Sequence, residues 1–337
     1  MSKIVTFGEM LLRLSSTNGE RIAQAQQFNC HYGGAEANVA VALAHFGHDA
    51  YFVSKLPDNP LGVAAKRHLQ ANAVYTDYLL TGGERLGTYY LETGVGERSS
   101  QVTYDRKYSS ITTIKWDDLD FDRMFQDADI FHVSGITPAL SPELQEITLK
   151  ALQKAHENGV KTSFDFNYRS KLWSQQEAGK ILRKLLPYVT ICSCSALDAI
   201  YLLGIEEADE SLTKEKQLIY YYEKIQQLYP NIKYLCSTFR EVYSASHHAL
   251  QGNFYMQGSL YQSKVHQLNP IIDRVGGGDA FMSGILLGVL EQMTPDKTVS
   301  FATAASALKH TVHGDCITFT KQEVLSFMDN HTGAITR

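Results

Sequence analysis

The chain has 337 residues, of which 44% are hydrophobic and 20% are charged, and its formal net charge is -5. These are the values of an ordinary globular protein, and they exclude a disordered or fibrous chain. Because the chain is acidic and has no run of Lys and Arg, it lacks the electrostatic footprint of a nucleic-acid-binding protein, and we exclude nucleic acid as a partner.

The N-terminal stretch MSKIVTFGEM leads directly into a strand-like segment, without the apolar core of a signal peptide. No apolar stretch approaches the roughly 20 residues that cross a bilayer. We therefore expect a cytoplasmic protein that does not contact a membrane. The five cysteines are an odd number without paired CxxC motifs, which indicates reduced, mostly buried thiols.

Short β-rich segments alternate with segments of helical period along most of the chain. The best-marked helix covers 141–158, where Ser141 can cap, Pro142 suits the first helical position and Gly159 follows the end. The alternation predicts an α/β fold with a doubly wound, mainly parallel sheet flanked by helices, and ligands bind such sheets at the carboxyl ends of the strands. The predicted strands lie at 3–9, 129–135, 161–167, 188–194 and 233–239.

Two segments, at about 11–34 and 84–110, depart from this rhythm. They alternate Tyr, Thr and Val with polar residues, which predicts an antiparallel, hairpin-like sheet. Since no linker or internal repeat marks a second domain, we expect one domain over 1–337 in which these two insertions form a small β-sheet lid.

Three consecutive glycines, Gly276, Gly277 and Gly278, precede Asp279 at the start of an apolar helix. Their backbone amides and the positive end of the helix can bind an anion such as a phosphate. An aspartate at this position is commonly only a helix cap. A carboxylate beside an anion site is, however, what phosphoryl transfer to an alcohol needs. We expect Asp279 to act as the base while the glycine amides stabilise the transferred group.

A second glycine pair, in 33-GGAEANVAVALAHFG-47, leads into a helix with Asn38 in its first turns. This segment and the pattern D-x-x-G-x-G-D-A-F, which begins at Asp273, resemble the two signature regions of the ribokinase-like (PfkB) sugar kinases. The resemblance covers essentially the whole chain. It implies a ribokinase-like fold, ATP and Mg²⁺ as cofactors and a small sugar as the acceptor.

Three further stretches, 102-VTYDRK-107, 133-VSGITPALSP-142 and 165-DFNYRSKLW-173, are similar to 2-keto-3-deoxygluconate kinases. This similarity implies that 2-dehydro-3-deoxygluconate is the acceptor and that its terminal hydroxyl becomes the 6-phosphate. Tyr89 and Tyr90 are adjacent on a predicted strand, so only one of them can face the site. The substrate-binding residues that the similarity implies are Gly34, Tyr90, Tyr104, Arg106, Ile136, Arg169, Asp279 and Asp315.

Arg106 and Arg169 favour an acidic acceptor independently of the resemblance, because a guanidinium group can bind a carboxylate through two parallel hydrogen bonds. An alternative for Arg106 is an ion pair with the neighbouring Asp105. Arg169 follows the carboxyl end of a predicted strand, where a ligand would lie.

The nucleotide side departs from the family pattern. Relatives carry N-x-x-E where this chain reads 195-SALD-198, and 236-CSTFREVYSASHH-248 replaces the usual G-x-x-G. Arg274 stands where relatives often have small hydroxyl residues. This difference leaves open whether the protein binds a monovalent cation. We expect Asp198 to reach Mg²⁺ through water. The residues expected to bind the nucleotide are Asn167, Ser195, Asp198, Ser237, Thr238, Arg240, Gly276 and Gly278.

Two other functions stay open at this point. A neutral-sugar kinase of the fructokinase or ribokinase type would use the same machinery, and the two arginines argue against it. A non-catalytic sugar-acid sensor would keep the fold without turnover, and the intact G-x-G-D argues against that. Exposed edges of a β lid tend to be covered, which predicts a homodimer or a multiple of dimers.

Overall fold

The computed structural model describes residues 1–17 and 19–329; Asn18 and residues 330–337 of the predicted single domain lie outside it. Within these ranges the strands are β1 (Lys3–Phe7), β2 (Leu11–Ser15), β3 (Asn29–Gly33), β4 (Asp49–Leu56), β5 (Leu79–Thr81), β6 (Gly87–Glu92), β7 (Gln101–Asp105), β8 (Ala128–Ser134), β9 (Lys161–Asp165), β10 (Ile191–Ser193), β11 (Tyr234–Ser244), β12 (His247–Met256), β13 (Ser259–Gln262) and β14 (His266–Leu268). The helices are α1 (Ala35–His45), α2 (Pro60–Ala71), α3 (Phe121–Phe125), α4 (Ile136–Ala139), α5 (Pro142–Glu157), α6 (Gln175–Leu185), α7 (Ala196–Tyr201), α8 (Lys214–Leu228), α9 (Gly277–Leu290), α10 (Pro295–Lys309) and α11 (Lys321–Asp329).

The larger sheet runs in the order β13-β12-β11-β10-β9-β8-β1-β4-β5, with β14 also paired to β12. All neighbours from β11 to β5 are parallel, and the pairs made by β12 with β11, β13 and β14 are antiparallel. The predicted doubly wound, mainly parallel sheet is therefore confirmed. The prediction missed β4, which is buried along most of its length and so lacks a clear alternation of apolar and polar residues.

Helices cover both faces of this sheet. One core cluster includes Phe131, Phe164 and Leu182, and the other includes Phe52 and Phe301. The helix α5 begins and ends as predicted: Ser141 Oγ accepts a hydrogen bond from Leu144 N at 3.2 Å, and Gly159 follows with a φ of +73°. The apolar burial of both faces is the main stabilising term and holds the strand ends in fixed positions.

The smaller sheet has the order β3-β2-β6-β7 and comes from the two segments predicted to form it. The pairs β2–β3 and β6–β7 are antiparallel, as expected. The expectation of a wholly antiparallel sheet is wrong at its centre, where β2 and β6 are parallel. Each segment forms its own antiparallel pair, and the two pairs join along strands that run in the same direction.

The five cysteines are free thiols, and four of them are buried. In the part of the chain that the structure describes, no helix is both long and apolar enough to span a bilayer.

Candidate active site

A cleft lies between one face of the smaller sheet and the carboxyl ends of the parallel strands. Its main cavity has a volume of about 910 Å³. Alternate residues of the smaller sheet, such as Arg13, Tyr89 and Tyr104, line one side. Asp165 and Asn167, at and just after the end of β9, line the other. This is the position that parallel α/β sheets offer to ligands.

The glycine turn, formed by Gly276, Gly277 and Gly278, opens onto this cleft. Gly276 is the cap of α9 and has a φ of +79°. A Cβ atom on it would also clash with the carbonyl oxygen of Asp315, so both conformation and space require glycine. Gly277 begins the helix, and no atom lies within 4 Å of where a Cβ of Gly278 would stand. Gly277 N donates to the carbonyl oxygen of Arg274 at 3.3 Å, so one amide of this turn already has a backbone partner. The open space beside Gly278 leaves room for an anion at the start of the helix.

Asp279 is the third residue of α9, so its position differs from that of a helix cap. Its Oδ2 accepts a hydrogen bond from Asn38 Nδ2 at 2.6 Å. The orientation of that amide is fixed because Asn38 Oδ1 accepts hydrogen bonds from Gly34 N and Cys316 Sγ, both at 3.2 Å. The two glycine-rich segments of the sequence therefore meet at one carboxylate.

The surroundings of Asp279 make it a better base than an exposed carboxylate. Burial raises the pKa of Asp279 to about 7, although the hydrogen bond from Asn38 opposes the rise. The charge of Asp165 raises this pKa further, and the charge of Arg169 lowers it. A base with a pKa near 7 is suited to accept a proton at neutral pH.

A second cavity, of about 560 Å³, adjoins the first. The predicted nucleotide residues Ser195, Asp198, Ser237 and Thr238 line it. The two cavities share Asp165, Asn167, Arg169 and Gly278. They therefore meet at the residue that precedes Asp279. Gly276 lines only the first cavity.

Two carboxylates line the second cavity, and one of them, Asp165, also lines the first. Burial raises the pKa of Asp165 to about 6, and the charge of Asp198 adds to the rise. Burial also raises the pKa of Asp198, whose Oδ2 accepts hydrogen bonds from Ser195 N (2.9 Å) and Ser195 Oγ (2.7 Å). Carboxylate oxygens that repel one another in a cleft fit a Mg²⁺ ion that keeps water and phosphate ligands. The described residues contain no cluster of three or more His, Cys, Asp or Glu that would hold a metal by protein ligands alone.

Asn167 has a backbone φ of +38°, a rare conformation for a residue other than glycine. Its N–H donates to Asp165 Oδ1 at 3.2 Å, which gives the strained backbone a local partner. Backbone of this kind is concentrated at functional sites. Asn167 contributes to the lining of both cavities.

The structure does not bring Arg240 to the nucleotide cavity, and that prediction needs correction. Its Nη1 lies 2.9 Å from His248 Nδ1 and 3.1 Å from His310 Nε2. Burial lowers the pKa of Arg240 to about 10. The side chain fills space between β12 and the end of α10, where it is held by two histidine rings.

Tyr89 lines the cleft, and the predicted Tyr90 does not. The hydroxyl of Tyr89 donates to Asp315 Oδ2 at 2.6 Å. Tyr90 lies on the opposite face of the strand, where its ring packs edge-on against Phe28 with 5.7 Å between centroids. Adjacent strand residues face opposite sides, so a shift of one position in the inferred match exchanges the two.

Arg13 is a site residue that the sequence analysis missed. Its guanidinium is buried and donates to both carboxylate oxygens of Asp273, at 3.1 and 2.5 Å. It also forms an ion pair with Asp315 Oδ1 at 3.1 Å. Asp315 lines the cavity as predicted, but its oxygens are held by Tyr89 and Arg13, so it joins the smaller sheet to the glycine turn. The available signal was a lone arginine inside the apolar strand segment LLRLS.

Arg106 also lines the cleft, and its partner within the protein is not the Asp105 that the sequence offered as an alternative. Its Nε and Nη2 contact Glu9, which also accepts the hydroxyl of Ser109. Asp105 pairs instead with Arg85, at 2.8 Å. The edge of the Arg106 guanidinium formed by Nε and Nη2 is therefore occupied, and within the described residues Nη1 makes no hydrogen bond, so its edge is free.

Arg169 is the more available of the two predicted arginines. Its Nη1 donates to the main-chain carbonyls of Asn167 (3.3 Å) and Tyr168 (3.1 Å). Across the described ranges no carboxylate forms an ion pair with it. Gly34, Tyr104 and Ile136 line the same cavity, as predicted. The site thus holds an arginine near enough to Asp279 for its charge to lower the pKa of that carboxyl.

Comparison with known proteins places this chain in a family. The pfkB family carbohydrate kinase model matches residues 1–243 and 247–322. A 2-dehydro-3-deoxygalactonokinase of Haloferax volcanii is 35% identical over 323 residues, which are 96% of this chain and 95% of that protein.

Two crystal structures have nearly the same fold over nearly the whole chain. A 2-dehydro-3-deoxygluconokinase of Thermotoga maritima has a TM-score of 0.94 at 40% identity and covers 98% of this chain and 100% of its own. A PfkB family carbohydrate kinase of Listeria grayi has a TM-score of 0.93 at 41% identity, with the same two coverages. The predicted ribokinase-like fold is confirmed.

Proposed function

The chain belongs to the pfkB family of carbohydrate kinases, and from that premise we propose that it phosphorylates the terminal hydroxyl of 2-dehydro-3-deoxygluconate with ATP and Mg²⁺. The observation that carries the proposal is the junction of the two cavities at Gly278, beside a carboxylate whose pKa is raised to about 7. An acceptor in the larger cavity and a nucleotide in the smaller one would bring a hydroxyl and a γ-phosphate together at that point.

The acceptor hydroxyl gives its proton to Asp279 as its oxygen attacks the γ-phosphorus. The new oxygen–phosphorus bond forms while the bond to the leaving oxygen of ADP breaks. Amides of the glycine turn stabilise charge on the transferred group, and Asn38 holds the base in position. Asp165 and Asp198 would hold Mg²⁺, which neutralises phosphate charge when it is bound.

Two features favour an acidic acceptor. Arg169 and the free edge of Arg106 line the cavity that would receive the sugar, and guanidinium groups are matched to carboxylates. Tyr104 lines the cavity beside Arg106, whose Cζ stands 5.4 Å from the centre of the tyrosine ring. A neutral sugar would leave Arg169 without a charge partner, although Arg106 would keep its ion pair with Glu9, so a fructokinase-type activity is the weaker alternative.

The epimer 2-dehydro-3-deoxygalactonate is a second candidate acceptor. The identity of 35% to the Haloferax volcanii protein of that name favours it. Both acids carry the same carboxylate and terminal hydroxyl, so the same arginines and the same base serve either one. The choice between the two epimers rests on contacts to the one hydroxyl group at which they differ.

We also propose that the protein acts in the cytoplasm, where ATP is supplied, and that it forms a homodimer or a multiple of dimers. The outermost strands of the smaller sheet, β3 and β7, each pair with one strand on one side within the described residues. Unpaired strand edges tend to be covered by a partner. Sedimentation equilibrium tests this: the chain mass is 37.7 kDa, and a species of that single mass would contradict the dimer.

The test of the function is ADP release with ATP-Mg²⁺ and a panel of acceptors: the two keto acids, gluconate, fructose and ribose. We expect turnover with a keto acid and its loss in Asp279→Asn. The matched control is Asp296→Asn, in the first turn of α10, which should keep full activity. Turnover with fructose or ribose would show that the acceptor is a neutral sugar and not a sugar acid. Binding of a keto acid without turnover would make the protein a sensor.

A further inference from the structure

Lys309, the last residue of α10, has a fully buried side chain that the proposed reaction does not use. Its Nζ donates to the main-chain carbonyl of Asp273 and to that of Val312, each at 3.3 Å. Within the described part of the chain it forms no ion pair with a carboxylate, since Asp273 and Asp315 pair with Arg13. A buried ammonium held by backbone carbonyls requires an explanation, because burying a charge is costly.

The two carbonyls belong to segments that run side by side behind the glycine turn. Asp273 precedes the turn, and Val312 follows α10 on the way to Asp315. The segments are joined by a hydrogen bond from Ile272 N to His310 O at 2.8 Å and by one from Gly314 N to Asp273 Oδ2 at 3.1 Å. Lys309 adds a positive charge between them.

The end of α10 supports the turn at two further points. Ser306 Oγ donates to the carbonyl of Gly277 at 2.7 Å. The ring of His310 lies where a Cβ atom on Gly277 would stand. The last turn of α10 is thus the support on which the anion-binding amides rest, and Lys309 is its charged member.

Backbone carbonyls that converge on a compact positive charge are the environment in which proteins hold desolvated monovalent cations. An ammonium group is such a charge, with three hydrogen-bond donors. Burial lowers the pKa of Lys309, and the negative charges of Asp273 and Asp315 act in the opposite direction.

We propose that the Lys309 ammonium is a built-in monovalent cation: it holds the glycine turn in its anion-binding geometry, so phosphoryl transfer needs no added K⁺, Na⁺ or NH₄⁺. Lys309 is a positioning residue, because it acts on the phosphoryl group through the turn. The proposal rests on the proposed kinase activity but not on which sugar is the acceptor.

The experiment compares turnover in KCl, NaCl, NH₄Cl and tetramethylammonium chloride at equal ionic strength. We expect the wild-type protein to turn over equally in all four salts. In Lys309→Met, which fills the space without the charge, kcat should fall by about 100-fold with little change in KM, because a displaced turn misplaces the reacting groups. No salt should restore it.

Lys309→Ala leaves room for a cation where the ammonium was. We expect a similar loss of kcat in tetramethylammonium chloride and a saturable recovery of about tenfold or more in K⁺, NH₄⁺ or ethylammonium, which fit the carbonyl site. As a readout that needs no turnover, the same small cations should raise the Tm of Lys309→Ala but not that of Lys309→Met.

Three results would overturn the proposal: a wild-type protein that requires K⁺, a Lys309→Met variant with wild-type kcat, or a folded Lys309→Ala variant that no cation restores. If Lys309→Ala fails to fold, the measurements on the wild-type protein and on Lys309→Met still decide whether the proposal holds. Because only ratios between salts and between variants are compared, any acceptor that turns over can be used. Failure of the sugar assignment is therefore seen separately, in the acceptor panel.

Discussion

Asn38 Nδ2 donates a hydrogen bond to Asp279 Oδ2 at 2.6 Å, between residues 241 positions apart in the chain. Asn38 lies in the first turn of α1, and Asp279 in the first turn of α9. The amide cannot reverse without losing the hydrogen bonds that Gly34 N and Cys316 Sγ donate to Asn38 Oδ1. The helix after the first glycine pair therefore sets the position and basicity of the proposed base at the second.

The pH dependence of kcat/KM should report this contact. Asp279 acts only when ionised, so kcat/KM should fall below a pH near 7. Since a donated hydrogen bond favours the carboxylate form, Asn38→Ala should raise the pKa of Asp279 and move the acid limb to higher pH. Asn158→Ala, which removes an exposed amide at the end of α5, is the control. An acid limb that stays in place in Asn38→Ala would remove Asn38 from this role.

Thermal unfolding should show that Asp279 is held at the expense of stability. A carboxyl group whose pKa is higher in the folded state than in the unfolded state destabilises the fold once pH rises above the unfolded value. For Asp279 the loss accumulates from its ordinary pKa of 3.8 up to about 7. A rise in the pKa from 3.8 to about 7 corresponds to about 4 kcal/mol. Asp279→Asn should therefore have a higher Tm than the wild-type protein at pH 8, by roughly 5–10 °C. The difference should vanish near pH 4, and a lower Tm at pH 8 would contradict the reasoning.

Two adjacent tyrosines test which face of β6 meets the acceptor. Tyr89→Phe removes the hydrogen bond to Asp315 and should raise KM for the sugar acid by about tenfold, the effect of roughly 1.4 kcal/mol. Tyr90→Phe should leave kcat and KM unchanged, because Tyr90 packs against Phe28 outside the cleft. Steady-state kinetics of the two variants show which tyrosine affects binding of the acceptor. The reverse pattern would restore the original prediction of Tyr90.

Replacing Arg106 should mainly lower the stability of the fold, whereas replacing Arg169 should mainly weaken binding of the acid. Arg106→Ala leaves the carboxylate of Glu9 buried without its charge partner, which should destabilise the fold by about 3–5 kcal/mol. Arg169→Ala breaks only hydrogen bonds to carbonyls, so the Tm should change little while KM for the acid rises by about 100-fold, the loss of a charge-assisted pair. Unfolding curves and kinetics separate the two effects. Arg123→Ala, at an exposed position, is the control, and an unchanged KM in Arg169→Ala would refute the assignment.

Two glycines of the turn should respond differently to a single methyl group. In Gly278→Ala the methyl group meets no protein atom within 4 Å, so the fold should stay intact while kcat falls because the cleft is narrowed. In Gly276→Ala the residue must keep a φ of +79° against the carbonyl of Asp315. That variant should lose about 1–3 kcal/mol of stability. Equal Tm values for the two variants would contradict this account of the turn.

The sequence by itself determined the kind of protein and predicted where its chemistry lies. The alternation of strands and helices predicted the main sheet, and the caps of α5 could be read directly, because these features depend on neighbouring residues. The three glycines before Asp279 carried a local meaning, since few other residues permit such a backbone turn. The two arginines indicated an acidic acceptor from their chemistry alone.

Only the tertiary structure decided the partners. Arg106 pairs with Glu9, 97 positions away, and not with the adjacent Asp105. Arg240 contacts two histidines, and Tyr89 lines the cleft where Tyr90 was predicted. Arg13 enters the site, and Lys309 supports the glycine turn from behind, both from segments with no recognisable motif. Local rules fix the conformation of a segment, but a charged or polar side chain takes its partner from whichever element packs beside it. That arrangement is a property of the whole fold.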